Sequence, residues 1–230
     1  MSTGQPLNKT PDQTPSQSLS QPLMIEGDAG KLEAILNPAE RPKFLAVVCH
    51  PHPLYQGTMH NKVAVTIARA LVETGGAVLR FNFRGVMQSE GTYDHGNGEI
   101  RDAERAIEFM LMTYRKFDVP FILAGFSFGA WVGLRHGAAN THVSHLIGLG
   151  VPMRLFDPER EMVNLTTCTK PKFLLCGERD EFSPMEKLKP FLDSVAEPKT
   201  VEIMPDADHF FTGRQHEVKA LIETWVKNYV

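Results

Sequence analysis

With 230 residues, 42% of them apolar and 22% charged, the chain can bury a substantial core, which excludes a disordered or fibrous polymer. Lys and Arg number 24 against 27 Asp and Glu, and the resulting net charge of −3 offers no electrostatic footprint for nucleic acid or an anionic membrane. The longest clean apolar run, Phe44 to Cys49, is far shorter than the ~20 residues of a membrane span.

Residues 1–21 are rich in Ser, Thr, Gln and Pro and carry almost no large apolar side chains. Such a stretch cannot bury enough surface to offset its ordering entropy, so it is expected to be a disordered tail, with 22–230 as one domain. No basic patch leads into an apolar segment, so no secretory leader is expected. The cysteines Cys49, Cys168 and Cys176 have no metal-type spacing and suit a reducing cytoplasm, the expected location.

From Leu23 onward strands and helices alternate. Met24–Glu26 and Lys31–Leu36 flank Gly27-Asp28-Ala29-Gly30, a hairpin signal. Phe44–Cys49 reads as a strand buried on both faces. Met59–Glu73 has helical spacing and stops at Gly75-Gly76. Then follow strand Ala77–Phe83, helix Glu99–Tyr114, strand Phe121–Gly125, helix Phe128–His136 and strands His145–Leu149 and Lys172–Cys176. Helix Pro184–Ser194, strand Thr200–Ile203 and a closing amphipathic helix Gly213–Tyr229 complete the chain. This alternation predicts an α/β fold, a mainly parallel twisted sheet of about eight strands with helices on both faces.

Gly125-Phe126-Ser127-Phe128-Gly129 sits between a buried strand and a helix. A serine in so tight a turn projects its hydroxyl above the sheet, and residues two before and two after it need glycine to avoid the neighbouring backbone. The helix start adds free N–H groups and a positive dipole end, suited to a developing oxyanion. A serine hydroxyl attacks only when an oriented base takes its proton. Asp180, in the loop after Lys172–Cys176, and His209, in the loop after Thr200–Ile203, come from strand ends that converge on the same sheet edge. Glu178, Glu181 and Asp208 are rivals for the acid's place; Asp180 stands far enough past its strand to reach across.

Ser127, Asp180 and His209 in that chain order resemble the triad of the α/β-hydrolase superfamily. His50-Pro51-His52-Pro53-Leu54-Tyr55-Gln56-Gly57-Thr58-Met59-His60-Asn61 and Arg80-Phe81-Asn82-Phe83-Arg84-Gly85 are similar to stretches in its small capless bacterial members, related to carboxylesterases and dienelactone hydrolases. The resemblance spans residues 23 to 230. It implies an α/β-hydrolase fold without a cap domain, since Gly150 to Pro171 leaves room only for a short helix. It further implies a serine hydrolase of carboxylic ester-type bonds acting through an acyl-enzyme, without a cofactor, on a small-molecule ester of short acyl length. Serine where dienelactone hydrolases carry cysteine favours general ester hydrolysis. Thioesterase or peptidase chemistry on the same triad, and a non-catalytic binding scaffold, remain open alternatives.

The resemblance also implies an oxyanion hole made by the amide of Phe128 and one from the loop after the third strand. His52 matches the donor position there, but Pro51 replaces the usual glycine and leaves Leu54 or Tyr55 as alternatives; Pro51 and Pro53 have no N–H to give. His50, His52 and His60 invite a zinc reading, yet no Cys or carboxylate lies nearby at ligand spacing, and no metal is expected. The loop from Val86 to Gly98 is expected to be a mobile surface segment or part of the pocket. Met87, Phe126, Met153, Leu155 and Phe156 are candidates for core or for an apolar wall of the site. Oligomeric state is not legible.

Overall fold

Strands that are apolar at every position must be covered on both faces. The computed structural model, which describes residues 20–230, puts such strands at the centre of a sheet. The strands are β1 (Gln21–Gly27), β2 (Gly30–Asn37), β3 (Leu45–Cys49), β4 (Ala77–Phe81), β5 (Phe121–Phe126), β6 (His145–Leu149), β7 (Lys172–Gly177) and β8 (Lys199–Met204). They form one eight-stranded sheet in the order β1-β2-β4-β3-β5-β6-β7-β8. β1, β2 and β4 pair antiparallel in sequence, and every pairing from β4 to β8 is parallel. β3, β5, β6 and β7 are buried from end to end.

Alternation along each strand feeds two separate cores. In β5, Phe121 and Leu123 join one and Ile122, Ala124 and Phe126 the other. The first core takes in helices α2 (Asn97–Thr113), α3 (Phe128–Ala139) and α5 (Met185–Ser194). The second is closed by α1 (Lys62–Glu73) and α6 (Gln215–Tyr229). The chain therefore has the predicted α/β-hydrolase architecture, a mostly parallel sheet with helices on both faces. Among the described residues no helix is long and apolar enough to cross a membrane.

Several boundaries differ from the expected ones for local reasons. β1 starts at Gln21, the last residue assigned to the tail, because Gln21 already pairs with Leu36; residues 1–19 lie outside the described residues. The helix expected from Met59 starts at Lys62, because the Asn61 side chain accepts the Val63 N–H at 2.9 Å and caps it. Met59 is instead buried in the preceding loop, its N–H on Asn82 Oδ1 at 2.8 Å. The strand expected to run to Phe83 ends at Phe81, since the Phe83 N–H leaves the sheet for His50 Nε2 at 3.0 Å.

Residues between β6 and β7 hold a single helical turn, α4 (Pro158–Glu161), and a 3₁₀ turn (Val163–Thr166). Met153, Met162 and Leu165 are buried with the α2–α3 core, and the Phe156 ring stacks on Trp131 of α3 at 4.1 Å. This segment is folded down onto α3.

The loop after β4 is pinned. Arg84 grips Asp102 of α2 through Nη2 at 2.7 Å and Nε at 3.0 Å, and the Arg84 N–H adds a third bond to Oδ2 at 3.0 Å. Ser89 Oγ donates to the Asn82 carbonyl at 2.7 Å and accepts the Glu33 N–H at 2.9 Å. The segment from Arg84 to Ser89 is thus a braced turn, although Met87 at its tip is exposed. Removing one member of a buried ion pair strands the other charge, so Asp102→Ala is expected to cost about 3–5 kcal/mol of stability, read from urea unfolding midpoints.

Candidate active site

The turn from β5 into α3 holds Ser127 at φ 56° and ψ −121°, a conformation that non-glycine residues adopt only when their surroundings impose it. The flanking glycines make it possible. A Cβ on Gly125 would strike the Gly129 carbonyl, and one on Gly129 would strike the carbonyls of Cys49 and His50. The Ser127 N–H is held by the Leu149 carbonyl at 2.8 Å, which locks the turn to β6.

Asp180 stands in the loop after β7, with Oδ1 accepting the N–H groups of Phe182 (2.8 Å) and Ser183 (3.1 Å). That leaves Oδ2 for His209 Nδ1 at 2.7 Å, and His209 Nε2 lies 2.9 Å from Ser127 Oγ. All three side chains are buried. The rings of Phe182, Phe126 and Phe210 pack at 4.6, 5.0 and 5.1 Å from the imidazole and confine it. With its Nδ1–H donated to the carboxylate, His209 turns an acceptor nitrogen toward the serine hydroxyl.

The rival carboxylates are placed elsewhere. Glu178 Oε2 accepts the Asp206 N–H at 3.0 Å, Asp208 Oδ1 accepts the Thr212 N–H at 2.8 Å, and Glu181 is exposed. Asp208 thereby braces the turn that carries His209.

The loop after β3 brings His52 beside Phe128, their rings 4.8 Å apart. Among the described residues, the N–H groups of His52 and Phe128 have no acceptor. The alternatives are spoken for: the Leu54 N–H goes to His52 Nδ1 at 3.2 Å and the Tyr55 N–H to the His52 carbonyl at 3.1 Å. His50 is wholly buried, its Nδ1 donating to the Pro51 carbonyl at 2.6 Å while Nε2 accepts from Phe83. Burial lowers its pKa to about 3, which keeps it neutral and makes it a strut between the β3 loop and the end of β4. His60 is exposed on the helix approach, and among the described residues no three His, Cys, Asp or Glu side chains cluster as metal ligands. Of the apolar candidates, Phe126 and Met153 are core, Phe156 covers Trp131, and Met87 and Leu155 are exposed.

Sequence reasoning missed the support. Tyr93, whose hydroxyl lies 3.2 Å from His52 Nε2, stands in a loop with no periodic signal. Asp102 was legible in principle, as a charge on the apolar stripe of α2 beside Ala103 and Ala106.

A model of the alpha/beta hydrolase domain matches residues 56–228. An alpha-beta serine hydrolase homologue from Coxiella burnetii is 35% identical, with 89% of this chain and 96% of that one covered at a TM-score of 0.81. An a/b serine hydrolase without lid from Xanthomonas campestris is 30% identical over 96% of this chain and 98% of its own, also at 0.81. An uncharacterized protein from Rickettsia prowazekii is 31% identical over 89% of this chain and 87% of its own length.

The His50 strut carries a pH signature. Its folded pKa lies below the ordinary 6.5, so between pH 6.5 and about 3 the unfolded chain binds the extra proton and stability falls as the pH falls. The expected slope from this one group approaches about 1.4 kcal/mol per pH unit. Urea midpoints measured at pH 7 and pH 4.5 are expected to separate less in His50→Gln than in the wild type.

Proposed function

The chain belongs to the alpha/beta hydrolase family, and from that premise we propose that it is a serine hydrolase of carboxylic ester-type bonds, acting on small, short-acyl substrates through an acyl-enzyme. In this reading Ser127 Oγ attacks the ester carbonyl while His209 Nε2 takes its proton. Asp180 holds the imidazole in the Nδ1–H tautomer and stabilises its cation. The amides of Phe128 and His52 receive the oxyanion. His209 then returns the proton to the leaving alcohol, and water, deprotonated by the same nitrogen, releases the acid.

The observation that carries the proposal is the unbroken hydrogen-bonded line from Asp180 Oδ2 through His209 to Ser127 Oγ, ending on a serine at φ 56°. A structural serine at a strand–helix junction has no use for a strained backbone and a confined histidine. The short-acyl preference rests on the segment between β6 and β7, which packs on α3 and leaves the sheet edge open. Leu54, Tyr55, Met87, Leu155 and Phe210, from loops at this edge, are exposed and give it an apolar rim suited to uncharged esters.

Hydrolysis of p-nitrophenyl esters from acetate to decanoate tests the proposal. Turnover is expected to fall with chain length and to drop roughly 10⁶-fold in Ser127→Ala. Asp180→Asn is expected to lose roughly 10⁴ in kcat. Turnover indifferent to Ser127 would overturn the mechanism, and a rate rising toward decanoate would overturn the short-acyl assignment alone.

A further inference from the structure

Nearly every polar atom of His52 is committed. Its carbonyl accepts the N–H groups of Tyr55 (3.1 Å) and Gly57 (3.0 Å), and its Nδ1 accepts that of Leu54. Because Nδ1 accepts, the proton of the neutral ring resides on Nε2 and is donated to the Tyr93 hydroxyl. The ring is also fixed sideways, with centroids of Tyr55, Phe128 and Tyr93 at 4.7, 4.8 and 5.1 Å. Only the backbone N–H is left over.

The N–H groups of Leu54, Tyr55 and Gly57 all find their acceptors on His52 itself, so the turn is closed on this residue rather than tied to the sheet. The 3₁₀ turn Pro53–Tyr55 is three residues long, and Gln56 leaves it in the left-handed region at φ 62°. Pro51 and Pro53 contribute no N–H on either side. The ring therefore joins this locally closed turn to Tyr93 and Phe128.

We propose that the His52 imidazole, tethered by Tyr93, is a latch that positions the His52 N–H beside that of Phe128, so that His52 and Tyr93 are positioning residues of the oxyanion hole. This rests on the mechanism proposed above. The latch ties the loop to Tyr93 on one side and to α3, through the Phe128 ring, on the other. It thereby couples the spacing of the two amides to a side chain that takes no proton in the reaction. Displacing one oxyanion donor costs roughly 10²–10³ in kcat with little change in ground-state binding.

Asparagine provides the discriminating substitution, because its Oδ1 can accept the same Leu54 N–H while its side chain is too short to reach Tyr93 or to pack on the Phe128 ring. With p-nitrophenyl acetate, His52→Leu is expected to lower kcat roughly 10²-fold with KM within about threefold. His52→Asn is expected to stay within about threefold of His52→Leu, and Tyr93→Phe to lower kcat several-fold. Nitrogen-15 spectra of the wild-type imidazole at neutral pH are expected to show Nε2 protonated and Nδ1 bare. A wild-type kcat in folded His52→Leu or in His52→Asn overturns the latch. If His52→Leu does not fold, Tyr93→Phe and the spectrum decide: an unchanged kcat or a protonated Nδ1 overturns it. Ser127→Ala is run in the same assay. Activity surviving there overturns the underlying mechanism, whereas an inactive Ser127→Ala beside a fully active His52→Leu overturns the latch alone.

Discussion

A single methyl group at position 129 would run into the carbonyls of Cys49 and His50. The absence of that methyl lets the first turn of α3 rest directly on the end of β3, and the rest of the site follows from this approach. It brings Phe128 beside the loop carrying His52, and it leaves room for the turn in which Ser127 is held at φ 56°. Because β5, β6, β7 and β8 run parallel, the serine after β5 stands on the same edge from which the Asp180 and His209 loops emerge. Strain at one residue is held by contacts spread over four strands.

Three histidines lie near this edge, and burial, partners and geometry give each a different part. His50, sealed between a carbonyl and an amide, is held neutral by burial and acts as structure. His52, half-buried, divides its ring between an amide and a phenol, and its pKa too is lowered by burial. His209 alone faces a carboxylate on one side and a hydroxyl on the other. A cluster of histidines in the sequence is thus resolved into separate tasks by what each nitrogen touches, and sequence spacing carries no information about that.

The fold was legible because its strands are continuous apolar runs bounded by glycine and proline, and the helices between them keep a 3.6-residue period. Boundaries were misread where a side chain replaced a backbone partner, as Asn61 does at the start of α1 and His50 at the end of β4. Ser127, Asp180 and His209 could be picked out since each follows a strand whose end lies on one edge, a matter of chain order. Tyr93 and Arg84 could not, because they meet their partners only in the folded chain; Asp102 showed only as a charge on the apolar stripe of α2, with nothing to say that Arg84 would answer it. The braced turn after β4 was expected to be mobile or pocket-lining for the same reason: glycines in the sequence say nothing of an ion pair beneath them.

The stacking of Phe156 on Trp131 has a kinetic meaning under the proposed mechanism. It commits the stretch between β6 and β7 to the flank of α3, so that no opening or closing of that stretch intervenes between encounter and reaction. In that mechanism discrimination among substrates falls to how a molecule rests on a fixed surface as it meets Ser127.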